Sequence, residues 1–270
     1  MGHAGTLDPE GAGVLLVCLG RATRLSEYLM AVPKEYLAEI TFGTETDTDD
    51  AWGSVIREGR TDISGGELKR ILPDFVGSLS QTPPRISALK HRGKPLYRWA
   101  REGRPVDPSP RTVKIHRLEA VRWDPPRALI LVRCSQGTYV RSLCRDLGRA
   151  LGSAAHMSFL LRTRVGPYQV SGAWTLEELG EGWKQQPTPA LIPMGHALPW
   201  TPFLRVTDPV LIRRIGHGQP PPLTGEVGNL RPGYLLRLLD GRDNLLALAR
   251  VREEPQALKL EKVFPGGEIE

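Results

Sequence analysis

The chain has 270 residues, 40% of them hydrophobic and 24% charged. That is ordinary globular usage, which excludes a disordered chain and allows a core without disulfide or metal staples. Its 36 basic and 30 acidic residues leave a net charge of +6, and no run reaches the ~18 apolar residues that a membrane-spanning helix needs.

In chain order, Met1-Gly2-His3-Ala4-Gly5 carries neither the basic nor the apolar region of a signal peptide. Val14 to Leu19 reads as a short buried strand, followed by a short helix with Ala22, Leu25 and Leu29 inside. Tyr36, Ala38, Ile40 and Phe42 alternate with Leu37, Glu39 and Thr41, the period of a half-buried strand. The acidic run Glu45-Thr46-Asp47-Thr48-Asp49-Asp50 reads as a solvated, locally capped turn rather than a cation site. It lacks the glycine and terminal glutamate of an EF-hand loop. Ser64-Gly65-Gly66-Glu67 is a capping box opening a helix with Leu68, Ile71, Leu72 and Phe75 on one face. A strand over Leu129–Cys134 leads through Gly137-Thr138 into a helix with Val140, Leu143, Leu147 and Leu151 inside and Arg145 and Arg149 outside. Met157 to Leu161 reads as a buried strand, and Thr175-Leu176-Glu177-Glu178 caps another helix. A boundary falls in the Pro-rich stretch Pro187–Pro202. Beyond it, strands at Leu235–Leu239, Leu245–Val251 and Leu258–Val263, with turns at Asp240-Gly241 and Glu253-Glu254-Pro255, make a small β-barrel-like module.

Glycine (29) and proline (24) are abundant enough to point to a loop-rich α+β or mostly β fold rather than a helical bundle. Cys18, Cys134 and Cys144 lack C-x-x-C spacing and read as buried, reduced thiols, not as a zinc site. Between Arg85 and Arg117 stand ten basic residues opposed only by Glu102 and Asp107, so this window carries +8 and the rest of the chain −2. His91, Tyr97 and Trp99 lie among these charges. Basic side chains interleaved with aromatics suit a phosphate backbone and unstacked bases, although a solvated basic loop has the same composition. Arginine supplies 28 of the basic residues and lysine 8; a GC-rich genome explains that bias better than phosphate recognition does.

Taken singly, no residue announces a mechanism. There is no nucleophile elbow, P-loop or dinucleotide fingerprint. Asp8 before Pro9 suits a turn, and Tyr36 at a strand start suits a core. Arg141, in the first turn of its helix, opposes the helix dipole, which implies an anionic partner, either a buried carboxylate or a phosphate.

The order of the segments is more specific than any one of them. His3-Ala4-Gly5-Thr6-Leu7-Asp8-Pro9 with Gly13-Val14-Leu15 precedes Gly20-x-Ala22-Thr23, then Lys34-Glu35-Tyr36 and Gly43-x-x-Thr46-Asp47-Thr48-x-Asp50. Pro84-x-x-Ser87-Ala88-Leu89-Lys90, Gly93, Tyr97 and Ala100-Arg101 come next, then Cys134-Ser135-x-Gly137-Thr138-Tyr139-Val140-Arg141 and Leu147-Gly148. From residue 2 to about 180 this resembles the bacterial TruB family of tRNA pseudouridine synthases; residues 200–266 resemble, more weakly, a PUA-type RNA-binding module.

The resemblance implies an α+β fold: a mixed, largely antiparallel sheet with flanking helices in a catalytic domain over 1–195, plus the β module over 200–266. It implies isomerisation of uridine 55 in the T loop of tRNA, with Asp8, Tyr36 and Arg141 catalytic. It further implies His3, Tyr139 and Leu160 at the substrate, and a basic RNA-gripping insertion over 85–117 containing Lys90, Arg92, Lys94 and Arg98. Pseudouridine formation breaks N1–C1′, turns the base and forms C5–C1′; nothing is oxidised or hydrolysed, so no cofactor or metal is expected. A stacked target base has to be flipped out first. Beyond the T arm, the expected contact is the acceptor stem, through the C-terminal module, by a cytoplasmic monomer with no membrane association.

The chain departs from the family pattern in two places. Met1 directly precedes the Gly2-His3 motif, where relatives carry a further N-terminal segment, so a misassigned start or a truncated chain is expected. Leu161 stands where many relatives carry a second arginine beside Arg162. The rival reading is a non-catalytic tRNA-binding or RNA-folding protein.

Overall fold

A computed structural model describes residues 1–185, 191–222, 230–253 and 257–264. They form two compact units: residues 4–16 with 29–173, and residues 1–3 and 17–28 with 174–270.

The larger unit is built on one mixed sheet. Its strands run, side by side, Tyr168–Gln169, Ala155–Val165, Lys34–Phe42, Arg127–Cys134, Arg111–Asp124 and Gly77–Gln81. Each neighbouring pair is antiparallel, and Ala12–Gly13 adds a parallel pairing to Ala155–Val165. The central strand Lys34–Phe42 buries Ala38, Ile40 and Phe42, as its two-residue period predicts. Onto that face the helix Val140–Ala150 and the segment after it lower Val140, Leu143, Leu147 and Leu151. The helix approaches closely because Gly148 carries no Cβ: one built there would stand 2.5 Å from the Cβ of Ala155.

The capping box forms as expected. The Ser64 hydroxyl accepts from the Glu67 N–H, and the Glu67 carboxylate accepts from the Ser64 N–H. The helix it starts, Gly65–Ile71, gives way to a 3₁₀ turn over Leu72–Phe75 at Pro73, so the expected single helix is divided. The strand expected over Met157–Leu161 extends to Ala155–Val165.

Other expectations need correction. Val14–Leu19 is not a buried strand: Leu15, Val17 and Leu19 are exposed, and only Val14 and Cys18 are buried. Only Val17–Cys18 of the run is in a strand, paired with Gly2–His3; the pairing with Ala155–Val165 ends at Gly13, before the run begins. The acidic run 45–50 is not a solvated turn, since Glu45, Thr46, Asp49 and Asp50 are all buried. Arg145 is buried rather than outside. Both corrections have one cause, the pairing of these carboxylates with arginines of helix Val140–Ala150.

In the smaller unit, Phe203–Arg205 pairs in parallel with Leu235–Leu239, and Leu245–Val251 and Leu258–Val263 continue the sheet antiparallel. The last three match the expected strands; the first does not figure among them. Nor does the helix Pro209–Gly216, whose Asp208 cap accepts from the Val210 N–H. Leu236, Leu238, Ala247, Ala249, Val251 and Ile215 form its core. The helical segment after Cys18 belongs here as far as Tyr28, whose hydroxyl donates to Glu261 (2.9 Å) while the Arg24 guanidinium lies 5.0 Å from the Phe264 ring centre. Gly2–His3 pairs antiparallel with Val17–Cys18. The expected boundary at Pro187–Pro202 and the turn at Glu253-Glu254-Pro255 fall partly outside the described residues, as do 265 and 266 at the end of the expected module. Among the described residues no helix is long and apolar enough to cross a membrane. All three cysteines are buried and unpaired.

Lys34, the first residue of the central strand, is buried and donates its Nζ to the carbonyls of Met30 and Val32. Burial, with Arg162 nearby adding repulsion, brings its pKa down to about 8. The unfolded chain therefore binds more protons than the native state between about pH 8 and the ordinary lysine value, so this residue's contribution makes stability rise with pH across that window. The rise amounts to about 3 kcal/mol at most. Denaturant titrations of the parent and of Lys34→Met should diverge accordingly. Their difference separates Lys34 from Cys144, whose thiol burial pushes up and which acts in the opposite sense, while Cys134, in electrostatic contact with Lys34, shifts along with it.

Candidate active site

Asp8 sits in the loop between Gly5 and Gly11, closed by a hydrogen bond from the Gly11 N–H to the Asp8 carbonyl (2.8 Å). Arg162, only 1% exposed, holds this loop from beneath. Its Nε donates to the Val14 carbonyl (2.7 Å), and its terminal nitrogens reach the carbonyls of Thr6 (3.2 Å) and Gly5 (3.4 Å). A buried guanidinium with several backbone acceptors is satisfied without a carboxylate partner. Gly13 makes the close approach feasible: its φ is +108°, and a Cβ there would lie 2.2 Å from the Arg162 carbonyl oxygen.

Arg141 meets Asp8 from the first turn of helix Val140–Ala150. Its Nε lies 2.8 Å from one Asp8 carboxylate oxygen, and a terminal nitrogen donates to the other at 3.1 Å. The other terminal nitrogen donates to Asp50 (3.1 Å) and to the Thr48 carbonyl (2.9 Å). The Arg141 side chain is 7% exposed and that of Asp8 28%, so the carboxylate is the accessible end of the pair. The anionic partner that the helix dipole argument demanded is thus a pair of carboxylates.

Two further ion pairs continue along the helix. Arg145 pairs with Asp49 (2.7 Å) and donates to the Thr82 carbonyl (3.0 Å), and Arg149 pairs with Glu45. Four-residue spacing puts Arg141, Arg145 and Arg149 on one helix face, and the acidic strap 45–50 lies along it. Burial pushes the Asp49 carboxyl up in spite of Arg145 beside it. For Glu45 burial acts the same way, but Arg149 and Arg57 outweigh it and hold the group low.

Tyr36 lies on the central strand opposite Arg162. Burial pushes its phenol up to about 12, with Arg162 pulling the other way and the Asp8 charge adding to the rise. Asp8, Tyr36, Arg141 and Arg162 therefore gather at one place. Leu160 is a buried core residue on the strand that carries Arg162. Tyr139 is the N-cap residue of the Arg141 helix. Its N–H donates to Gln81 Oε1 (2.8 Å), and its carbonyl accepts from Gln81 Nε2 (3.0 Å). His3 is exposed, pairs with Val17 and belongs to the smaller unit.

The basic segment begins beside Arg141, whose terminal nitrogen reaches the Ile86 carbonyl (3.4 Å). Lys90–His91 and Lys94–Pro95 form a hairpin turned by Arg92 (φ +50°) and Gly93 (φ +80°), and the helix Leu96–Arg101 follows. Two successive positive φ values make the type I′ turn that matches strand twist. Lys90, Arg92 and Arg98 are exposed. Lys94 pairs with Glu102 and lies 4.7 Å from the Trp99 ring centre. Leu96, 1% exposed, anchors the segment.

The sequence reading missed Asp49, Asp50, Arg145 and Arg162 as parts of this assembly. The available signal was three arginines at helical spacing facing an acidic run; Arg162 shares its strand with His156, Ser158, Thr163 and Arg164 and carries no comparable signal. Among the described residues no cluster of histidine, cysteine or carboxylate side chains suits a metal ion.

The comparisons agree with this architecture. Over 97% of its length the chain aligns with the structure titled "Crystal Structure of a Cbf5-Nop10-Gar1 Complex", with TM-score 0.74, 28% identity and 75% of that chain covered. A chain of "Structure of H/ACA RNP bound to a substrate RNA containing 2'-deoxyuridine" aligns over 97% of this chain and 75% of its own, with TM-score 0.72 and 26% identity. The TruB family pseudouridylate synthase N-terminal domain matches residues 1–140, and the tRNA pseudouridylate synthase B C-terminal domain matches 141–198. The fold and these matches define a pseudouridine synthase, and the chain belongs to the TruB family. It is 43% identical to tRNA pseudouridine synthase B of Pelotomaculum thermopropionicum, covering 97% of this chain and 85% of that protein. With the Symbiobacterium thermophilum protein of the same name it shares 47% identity over 82% of this chain and 73% of the relative.

The buried and exposed ends of the arginine row should respond differently to truncation. Asp49→Ala leaves buried Arg145 with only Asp146 (2.9 Å) as a carboxylate partner and puts alanine into a left-handed backbone, and should cost about 3–5 kcal/mol. Arg149→Ala removes a half-exposed cation while Arg57 still holds Glu45, and should cost about 1 kcal/mol or less. Urea denaturation midpoints of the two variants check the order.

Proposed function

We propose that this chain converts uridine 55 of the tRNA T loop to pseudouridine, with Asp8 acting at the nucleotide being rearranged. One observation carries the reading: Asp8 is the accessible carboxylate of an ion pair whose other member, Arg141, is buried and fixed by Asp50. The names of the curated relatives support tRNA as the substrate.

The reaction exchanges the C5 hydrogen of uracil for a bond to C1′ and returns a proton to N1, so acid–base and electrostatic groups suffice. Loosening N1–C1′ draws positive charge onto the ribose, and the Asp8 carboxylate supplies the negative group that this step calls for. Arg141 holds both Asp8 oxygens at one end and Asp50 at the other, so the carboxylate meets the nucleotide in a set orientation. Tyr36 offers a protonated phenol and a flat ring to the base. Leu160 and Tyr139 line the nucleotide's surroundings, and His3 contributes at the flipped loop.

Residues 1–195 form the catalytic domain in this reading, with 85–117 as the part that grips RNA. Residues 200–266 form an RNA-binding module that reaches the acceptor stem, and the protein acts as a monomer in the cytoplasm. Exposed Lys90, Arg92 and Arg98 contact phosphates, and single-stranded loops are held by such charge together with stacking.

Tritium release from [5-³H]uridine-labelled tRNA tests the chemistry. Asp8→Asn should lower turnover by roughly 10²–10⁴-fold or more, while filter binding of tRNA stays near the parent value. An Asp8→Asn variant with parental turnover would remove Asp8 from the mechanism. Neutralising Lys90, Arg92 and Arg98 together should weaken tRNA binding and make its logarithmic salt dependence shallower by about 2; an unchanged slope would exclude this segment from the interface.

A further inference from the structure

Among the described residues two buried side-chain polar atoms make no hydrogen bond, Ser87 Oγ and Arg141 Nε. The second has an ionic contact, lying 2.8 Å from Asp8 out of line for a hydrogen bond. The first has no such compensation. Both belong to one locality, because the carbonyl of Ile86, next to Ser87, accepts from Arg141.

Ser87 is 5% exposed and its backbone is held. Its own carbonyl accepts from the Tyr97 N–H (3.1 Å), and two residues on the Leu89 carbonyl accepts from the Leu96 N–H (2.8 Å). Its backbone is clamped between Arg141 and the start of helix Leu96–Arg101, and its hydroxyl oxygen is buried. A buried hydroxyl without a partner is disfavoured, and alanine fits the same space without that cost. Such a group, one residue from a carbonyl that touches the reactive ion pair, is open to a partner that arrives with the substrate.

We propose that the Ser87 hydroxyl is a substrate contact, hydrogen-bonding a polar edge of the flipped uridine. The assignment rests on the isomerase reading above. A hydroxyl can donate to a uracil carbonyl oxygen and can equally accept from an N–H. It is therefore suited to a ring that turns about its N3–C6 axis between its N1-linked and C5-linked states, because O2 and O4 exchange places and C5–H gives way to N1–H, so the hydroxyl meets a carbonyl oxygen or the new N–H.

The test compares the full chain with its Ser87→Ala variant in tritium release from labelled tRNA, filter binding and thermal unfolding. The expected result is a fall in kcat/KM of about ten- to a hundredfold, the range of one lost buried hydrogen bond, with a thermal midpoint equal to or above the parent's. A parental kcat/KM overturns the assignment. A fall in activity accompanied by a lowered midpoint also overturns it, because the hydroxyl would then be bonded within the free protein. Absence of turnover in the parent chain is a separate outcome, which sinks the isomerase reading itself.

Discussion

One guanidinium organises the site. Arg141 is held by Asp50 and the Thr48 carbonyl on one side and holds Asp8 on the other. An arginine with a single carboxylate would be a hinge, whereas one bound on both sides is a strut, and its planar fork transmits the position of one acid to the next. The acidic strap, the helix and the Asp8 loop are remote in sequence, and each would be loose without the others. Burial raises the stakes, since the ions have left water and any missing partner leaves charge stranded in a poorly polarisable interior.

The Asp8 loop is fixed from two directions by different chemistry. Arg141 binds its side chain, and Arg162 binds the backbone carbonyls of Gly5, Thr6 and Val14. Orientation of the carboxylate and shape of the loop thus come from separate arginines on separate elements, a helix and a sheet strand. This division suits a reaction that rearranges one nucleotide in place, where positioning and charge guide the step.

Much of this was legible in the sequence, for physical reasons that differ by element. The alternation through Ala38, Ile40 and Phe42 gave the central strand because one sheet face is dry. The Ser64–Glu67 box gave a helix start because both groups act within one turn. Arg141 was flagged by its unfavourable place at a helix N-terminus, and its partners turned out to be Asp8 and Asp50. The acidic strap was misread because a run of carboxylates looks solvated when its counter-charges lie some ninety residues away, on a helix not yet placed beside it. Leu15, Val17 and Leu19 misled for the opposite reason: an apolar run implies burial only if something covers it. Ser87 could not have been singled out, since a missing hydrogen bond has no sequence signature.

Asp49 carries one more consequence. In extended backbone, neighbouring side chains point to opposite faces, so Asp49 and Asp50 could not both serve one helix. Here Asp49 has φ +63°, and that left-handed residue bends the strap so that adjacent carboxylates meet arginines one helical turn apart. The position has two demands, a backbone that most side chains resist and a negative charge for Arg145. Glycine meets the first and glutamate the second. Aspartate, whose short polar side chain tolerates the left-handed conformation, meets both, so the vocabulary open to this position is close to a single word.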